Sequence, residues 1–259
     1  MLALMNPALF ELQEQRMLPV EARPHPLSGH PVAVGMVLPP MRGTVMVAER
    51  LDLFHHHRWL RHREKENGDV VLPFPFFGDL LLFLLDEFGP YCLNWTIKKT
   101  EEDFSRSISV QKRVRNPEAD ERDERARHAI EELLYEDADI RTIRVVKRMI
   151  GDNLAHNLRN LFLHQAIPVD LTKDVIDELD DRLKASFTTR EKPLDILLAM
   201  AHRHNCAFEH LRCAFFNALW HRRVRAELVD EPILIDRPLR PERVDLFEQY
   251  SFLFARKVA

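Results

Sequence analysis

The sequence predicts a mixed α/β domain followed by a mostly helical one, and three observations predict it. Residues 70–98 hold two β-rich runs joined by a Gly-Pro turn, and helix-spaced segments at 118–136 and 152–164 flank a short alternating run at 140–146. After Pro168 the texture changes to helices without long strands. Domain boundaries of 1–167 and 168–259 follow.

Each element has a local reason. Pro19, Pro24, Pro26, Pro31, Pro39 and Pro40 make 19–40 irregular. Leu51, Leu53, Phe54, Trp59 and Leu60, set among charges and histidines, predict a helix over 49–66. Strands at 70–72, 76–85 and 91–98 follow, the last two forming a hairpin around 86–90. Asn116-Pro117 breaks the chain, and Ala126, Ala129, Ile130, Leu133 and Leu134 then recur at helical spacing behind an acidic first turn. A strand at 140–146 precedes a helix at 152–164 that carries Leu154, Leu158, Leu161 and Phe162. In the second domain, helices at 171–184, 193–202 and 207–220 precede short strands at 224–229 and 233–235. Three helices and a basic hairpin describe a winged-helix-like module, suited either to a nucleic-acid groove or to a protein contact.

Composition excludes several classes. With 46% hydrophobic and 30% charged residues, the chain is neither disordered nor fibrous. Its greasiest segment, 74–88, is broken by Pro75, Asp79, Asp86 and Glu87, so no membrane span is expected. The first ten residues lack a basic start and run into Glu11 and Glu14, which disfavours a secretory signal. Three cysteines, Cys92, Cys206 and Cys213, argue against a disulfide framework; a cytoplasmic location is expected. Acidic residues number 41 against 37 basic, for a formal charge of −4, so any affinity for nucleic acid must come from local patches. Candidates are Arg106, Lys112, Arg113 and Arg115; Arg141, Arg144, Lys147 and Arg148; and His221, Arg222, Arg223 and Arg225. Each also reads as a solvated face balanced by the acids at 118–124.

Asp79 is the most informative residue, because 76–83 otherwise reads as a run buried on both faces of a sheet. A carboxylate there protonates, meets a cation or lies at an open strand end. If 87–90 is a four-residue loop, Lys98 falls directly opposite Asp79 and shares its face; a slip of one residue would separate them. An Asp on one strand and a Lys on its neighbour is an arrangement of metal-dependent phosphodiesterases, in which Asp holds Mg²⁺ and Lys orients the attacking water. Two other clusters read as packing or polar faces rather than metal sites: His55, His56, His57 and His62, and His202, Cys206, His210 and Cys213. No Gly-rich phosphate loop, GxSxG or HExxH motif occurs.

Four stretches taken in order resemble the TnsA family, the endonuclease subunits of heteromeric (Tn7-type) DNA transposases. They are residues 6–19 with Ser28-Gly29-His30-Pro31; Gly78-Asp79-Leu80-Leu81-Leu82; Trp95-Thr96-Ile97-Lys98; and 125–135, 140–146 and 153–159 together. The resemblance covers about residues 6 to 165. It implies a restriction-endonuclease-like, PD-(D/E)xK, core with catalytic Asp79 and Lys98, and Mg²⁺ held at Asp79 and Thr96. It also implies hydrolysis of DNA phosphodiesters at transposon 5′ ends, beside a DDE transposase subunit and an ATP-dependent regulator subunit. DNA contacts are expected at Arg106, Lys112, Arg113, Arg115, Arg222 and Arg223. Two departures stand out. Thr96 replaces the family's Gln or Glu, leaving a main-chain carbonyl or a hydroxyl as ligand. The family's first catalytic Glu lies on a helix before the segment matched by 9–15, and no such helix fits between Met1 and Leu9. Either the start is shortened, or Glu14 or Glu49 substitutes, or the site is a cleavage-deficient scaffold.

Overall fold

The computed structural model describes residues 1–64, 68–105 and 116–256. In chain order its elements are α1 (Leu2–Met5), β1 (Leu9–Glu14), α2 (Thr44–Arg50), β2 (Trp59–Glu64), β3 (Gly68–Pro73), β4 (Leu80–Asp86), β5 (Gly89–Lys98), α3 (Pro117–Glu136), β6 (Arg141–Val146), α4 (Asp152–Gln165), α5 (Lys173–Thr189), α6 (Pro193–His204), α7 (Phe208–Trp220) and α8 (Leu246–Gln249). The fold is mixed α/β. Contacts divide it into two units, residues 7–149 with the C-terminal residues from 253, and residues 1–6 with 150–252. Within the unit that holds residues 150–252, α4 buries Leu154, Leu158 and Leu161 and packs against α7. Among the described residues no helix is long and apolar enough to cross a membrane.

The first unit is built on a four-stranded mixed sheet in the order β1-β4-β5-β6. β1, β4 and β5 form an antiparallel meander, and β6 runs parallel to β5. A parallel neighbour needs a crossover, and α3 supplies it. The Asn116-Pro117 break is the start of that helix: Asn116 accepts the Ala119 N–H at 3.3 Å, and Pro117 takes the first turn, where no N–H is needed.

The β4–β5 turn is tighter than the sequence suggests. Asp86 pairs with Gly89 across Glu87-Phe88, Gly89 adopts φ +106°, and the Asp86 carboxylate accepts the Phe88 N–H at 2.8 Å. Relative to a four-residue loop the register moves by two residues, which preserves the face of every side chain. Leu80 pairs with Trp95, so Asp79 continues beside Thr96, on the face it shares with Asn94, Thr96 and Lys98. That face packs α3: Leu81, Phe83 and Cys92 meet Ile130, Leu134 and Tyr135 in the core. On the opposite face Trp95 donates to the Leu253 carbonyl at 2.9 Å and its ring lies 5.3 Å from Phe254.

The helix expected over 49–66 does not form. α2 ends at Arg50, a 3₁₀ turn spans Phe54–His56, and β2 pairs antiparallel with β3. Trp59 and Leu60 are a strand's residues read as helical ones; tertiary pairing overrides a mixed local pattern.

In the second unit α5, α6 and α7 occur as expected, but no hairpin follows among the described residues. One bridge, Ala226 to Pro241, is all the strand pairing there. Pro232, Pro238 and Pro241 remove ladder donors, and α4 takes over the backbone instead. Asn157, 1% exposed, donates to the carbonyls of Leu228 and Glu231 and accepts the Ile233 N–H, each at 2.8 Å. One turn earlier Asn153 donates to the Asp230 carbonyl at 2.7 Å. The winged-helix expectation therefore loses its wing.

Candidate functional site

Asp79 sits immediately before β4, half-buried, at an open strand end rather than inside a dry run. The β4–β5 pairing ends at Leu80 and Trp95, and just beyond it the Asp79 Oδ2 atom accepts the Ile97 N–H at 2.6 Å. The Asp79 carbonyl in turn accepts the Gln15 N–H at 2.9 Å, tying the strand start to the end of β1. Lys98, also half-buried, closes β5 two residues beyond Thr96. Thus Asp79, Thr96 and Lys98 share one face at one end of the hairpin.

Beneath them α3 delivers a carboxylate that the sequence reading overlooked. Glu131 is fully buried, and its Oε1 accepts from the Asn94 amide at 3.0 Å and from the Thr96 hydroxyl at 3.2 Å. Asn94, also fully buried, reaches the Thr142 hydroxyl on β6 at 3.3 Å as well. Gly78 lies against this group: a Cβ built there would make ordinary contacts, 3.5 Å from Glu131 Oε1 and 3.6 Å from the Tyr135 hydroxyl. Burial raises the Glu131 carboxyl above the usual carboxylate range. The Asn94 hydrogen bond and the Arg127 charge oppose the rise, and the Asp79 charge adds to it.

Several polar atoms of this cluster are unsatisfied. Asn94 Oδ1, Glu131 Oε2, His128 Nε2 and the Tyr135 hydroxyl are buried without a hydrogen-bond partner. An unmet buried polar atom costs about 1–3 kcal/mol, so their concentration between β5 and one face of α3 calls for a chemical reason. Arg127 does not supply one, since its Nη2 donates to the Phe77 carbonyl at 2.8 Å and stands 3.8 Å from Glu131 Oε2. Nor does His128, 3.9 Å away: burial, with the charges of Arg127, Lys98 and Arg144, pushes its pKa down to about 3 and keeps the ring neutral.

The donor set suits a hard divalent cation in part. Carboxylate, amide and hydroxyl oxygens are what Mg²⁺ prefers, and two acceptor oxygens here are unmet. Yet among the described residues no group of three or more His, Cys, Asp or Glu could hold a metal ion. The remaining coordination would have to come from neutral oxygens and water.

The other anticipated residues lie elsewhere. Glu14 pairs with Leu80, which sets it on the face opposite Asp79. Glu49 is exposed on α2, and no described hydrogen bond or ion pair joins it to Asp79. Neither substitute acid is brought to the site. Arg222 and Arg223 are paired with acids: Arg222 Nη2 lies 2.8 Å from both Glu242 and Asp245, and the half-exposed Arg223 places its Nε 2.6 Å from Asp180. In this fold those guanidinium groups are engaged by carboxylates of the same unit. Arg106, Lys112, Arg113 and Arg115 lie outside the described residues. Of the histidine group, His56 pairs with Asp123 at 2.7 Å and His57 with the Thr44 hydroxyl at 3.0 Å. His210 accepts the Asp170 N–H at 3.1 Å, and Cys213 is buried.

A signal for Glu131 exists in the sequence. It falls three and four residues before Leu134 and Tyr135, inside the apolar stripe of α3, where a carboxylate has to be explained. Asn94 and Thr96 likewise alternate with buried residues on one strand face. No protein-family model, curated protein or solved structure matches this chain.

Proposed function

We propose that this chain is a Mg²⁺-dependent DNA endonuclease with a restriction-endonuclease-like core, acting as the TnsA-like cleaving subunit of a transposition assembly in the cytoplasm. One observation carries the reading: Asp79, Thr96 and Lys98 share a face at the open end of the β4–β5 hairpin, over the helix that crosses to β6. The meander followed by a helical crossover to a parallel fourth strand supports it. Asp79 would hold the metal, with an oxygen of Thr96 beside it, and a bound Mg²⁺ would polarise the scissile phosphate. Lys98 would orient the attacking water and stabilise charge on the phosphate as it develops. A DDE transposase subunit and an ATP-dependent regulator subunit are the partners this role requires.

A cleavage-deficient scaffold in the same assembly is the second reading, and the Asp79 to Ile97 hydrogen bond favours it, since it gives Asp79 a structural task. Incubating the chain with its partner subunits, transposon-end DNA and Mg²⁺ separates the two. Cutting at the 5′ ends that is lost in Asp79→Ala and Lys98→Ala while assembly persists supports the enzyme. Assembly without cutting in the unmutated chain supports the scaffold. A regulator acting through Arg222 and Arg223 is disfavoured by their carboxylate pairs.

A further inference from the structure

We infer that Glu131 and Asn94 are ligands of the divalent cation at Asp79, so that the centre's second carboxylate comes from α3 and not from β5. The inference deepens the endonuclease reading and rests on its metal site. Three features of the cluster point to it. Glu131 and Asn94 are each 0% exposed and each presents a buried oxygen, Oε2 and Oδ1, with no hydrogen-bond partner. The opposite edge of each group is fully engaged: Asn94 Nδ2 donates to Glu131 Oε1 and Thr142, which fixes which oxygens remain open. Finally, the Thr96 hydroxyl donates to Glu131 Oε1 at 3.2 Å. Thr96 thereby holds the α3 carboxylate in place and is a positioning residue.

Both oxygens lack a hydrogen bond, the Arg127 guanidinium standing off at 3.8 Å from Glu131 Oε2, and a small hard cation is the partner that buried carboxylate and amide oxygens accept. Gly78, adjacent to Asp79, brings the strand start and α3 together: a Cβ built there would lie 3.5 Å from Glu131 Oε1. The alternative is a neutral structural Glu131 whose buried proton satisfies the cluster. The two differ in one consequence. Replacing Glu131 by its amide would preserve a neutral hydrogen-bonded group but would remove an anionic ligand.

The test uses Mn²⁺ as the probe, titrated into the full chain and followed by the loss of the free-ion EPR signal, with circular dichroism to check folding. Binding by the wild type that weakens about tenfold or more in Glu131→Gln and in Asn94→Ala, as in Asp79→Asn, is the expected result. Binding lost in Asp79→Asn but unchanged in Glu131→Gln overturns this inference and leaves the endonuclease reading standing. No binding by the wild type overturns both. If Glu131→Gln does not fold, the unmutated chain decides. Substoichiometric Mn²⁺ should broaden the Glu131 Cδ and Asn94 side-chain amide resonances in ¹³C- and ¹⁵N-labelled protein, and broadening confined to Asp79 refutes the assignment.

Discussion

Replacing Asn157 by Ala should unfold the second unit's irregular tail from its helices. The side chain makes three hydrogen bonds of 2.8 Å at a site 1% exposed, to the Leu228 and Glu231 carbonyls and the Ile233 N–H. Each bond contributes about 0.5–1.5 kcal/mol net, and each partner stranded in the interior costs about 1–3 kcal/mol. Some of those partners will recover a water, so a loss of about 3–5 kcal/mol is expected. With a urea slope near 2 kcal/mol/M, the midpoint should fall by about 1.5–2.5 M. Asn157→Asp should be no better, because a carboxylate can accept from Ile233 but faces two carbonyls. Urea unfolding gives the magnitude, and amide exchange at Ile233 reports the site directly. A loss below about 1 kcal/mol, with the Ile233 amide still protected, would refute the claim that one asparagine replaces the missing hairpin.

Three further outcomes follow from individual contacts. Tyr135→Phe removes a buried hydroxyl that has no partner, so thermal unfolding should rise, by about 1–3 kcal/mol of stability; a fall would mean the hydroxyl has a partner such as a bound water. Arg223→Ala leaves the buried Asp180 without the guanidinium 2.6 Å away; stability should drop by about 3 kcal/mol while affinity for DNA and its salt slope stay unchanged. Burial lowers the His57 pKa from 6.5, and in the fold the ring accepts from the Thr44 hydroxyl while its other nitrogen faces the Arg58 carbonyl. Below about pH 6.5 the unfolded chain takes a proton that the folded ring refuses, so stability should decline as pH falls from there, and His57→Gln should flatten that slope in a urea–pH series.

How much of this was legible depended on which physical rule governed each segment. The hairpin of β4 and β5, α3 and β6 followed from periodicity and from Asn116-Pro117, because local signals and tertiary packing agree there. The shared face of Asp79 and Lys98 was readable because a two-residue error in turn length leaves strand parity unchanged. Local patterning failed where pairing partners decide the outcome, as at Trp59 and Leu60, and where side chains replace a ladder, as Asn157 does. Arg222 and Arg223 looked like a basic patch because their acidic partners, Glu242, Asp245 and Asp180, lie about 20 to 40 residues away in sequence. Glu131 was visible as an acid in an apolar stripe, but only the fold brings it under Asp79 and Thr96.

The endonuclease account is tested most directly by the single-turnover rate of strand cleavage at the transposon 5′ ends, measured in the assembled complex across a Mg²⁺ titration for the wild type, Asp79→Asn and Lys98→Ala. The account predicts Mg²⁺-dependent cutting by the wild type, none by Asp79→Asn, and a Lys98→Ala defect that added metal does not restore. Equal cutting by all three chains would contradict it.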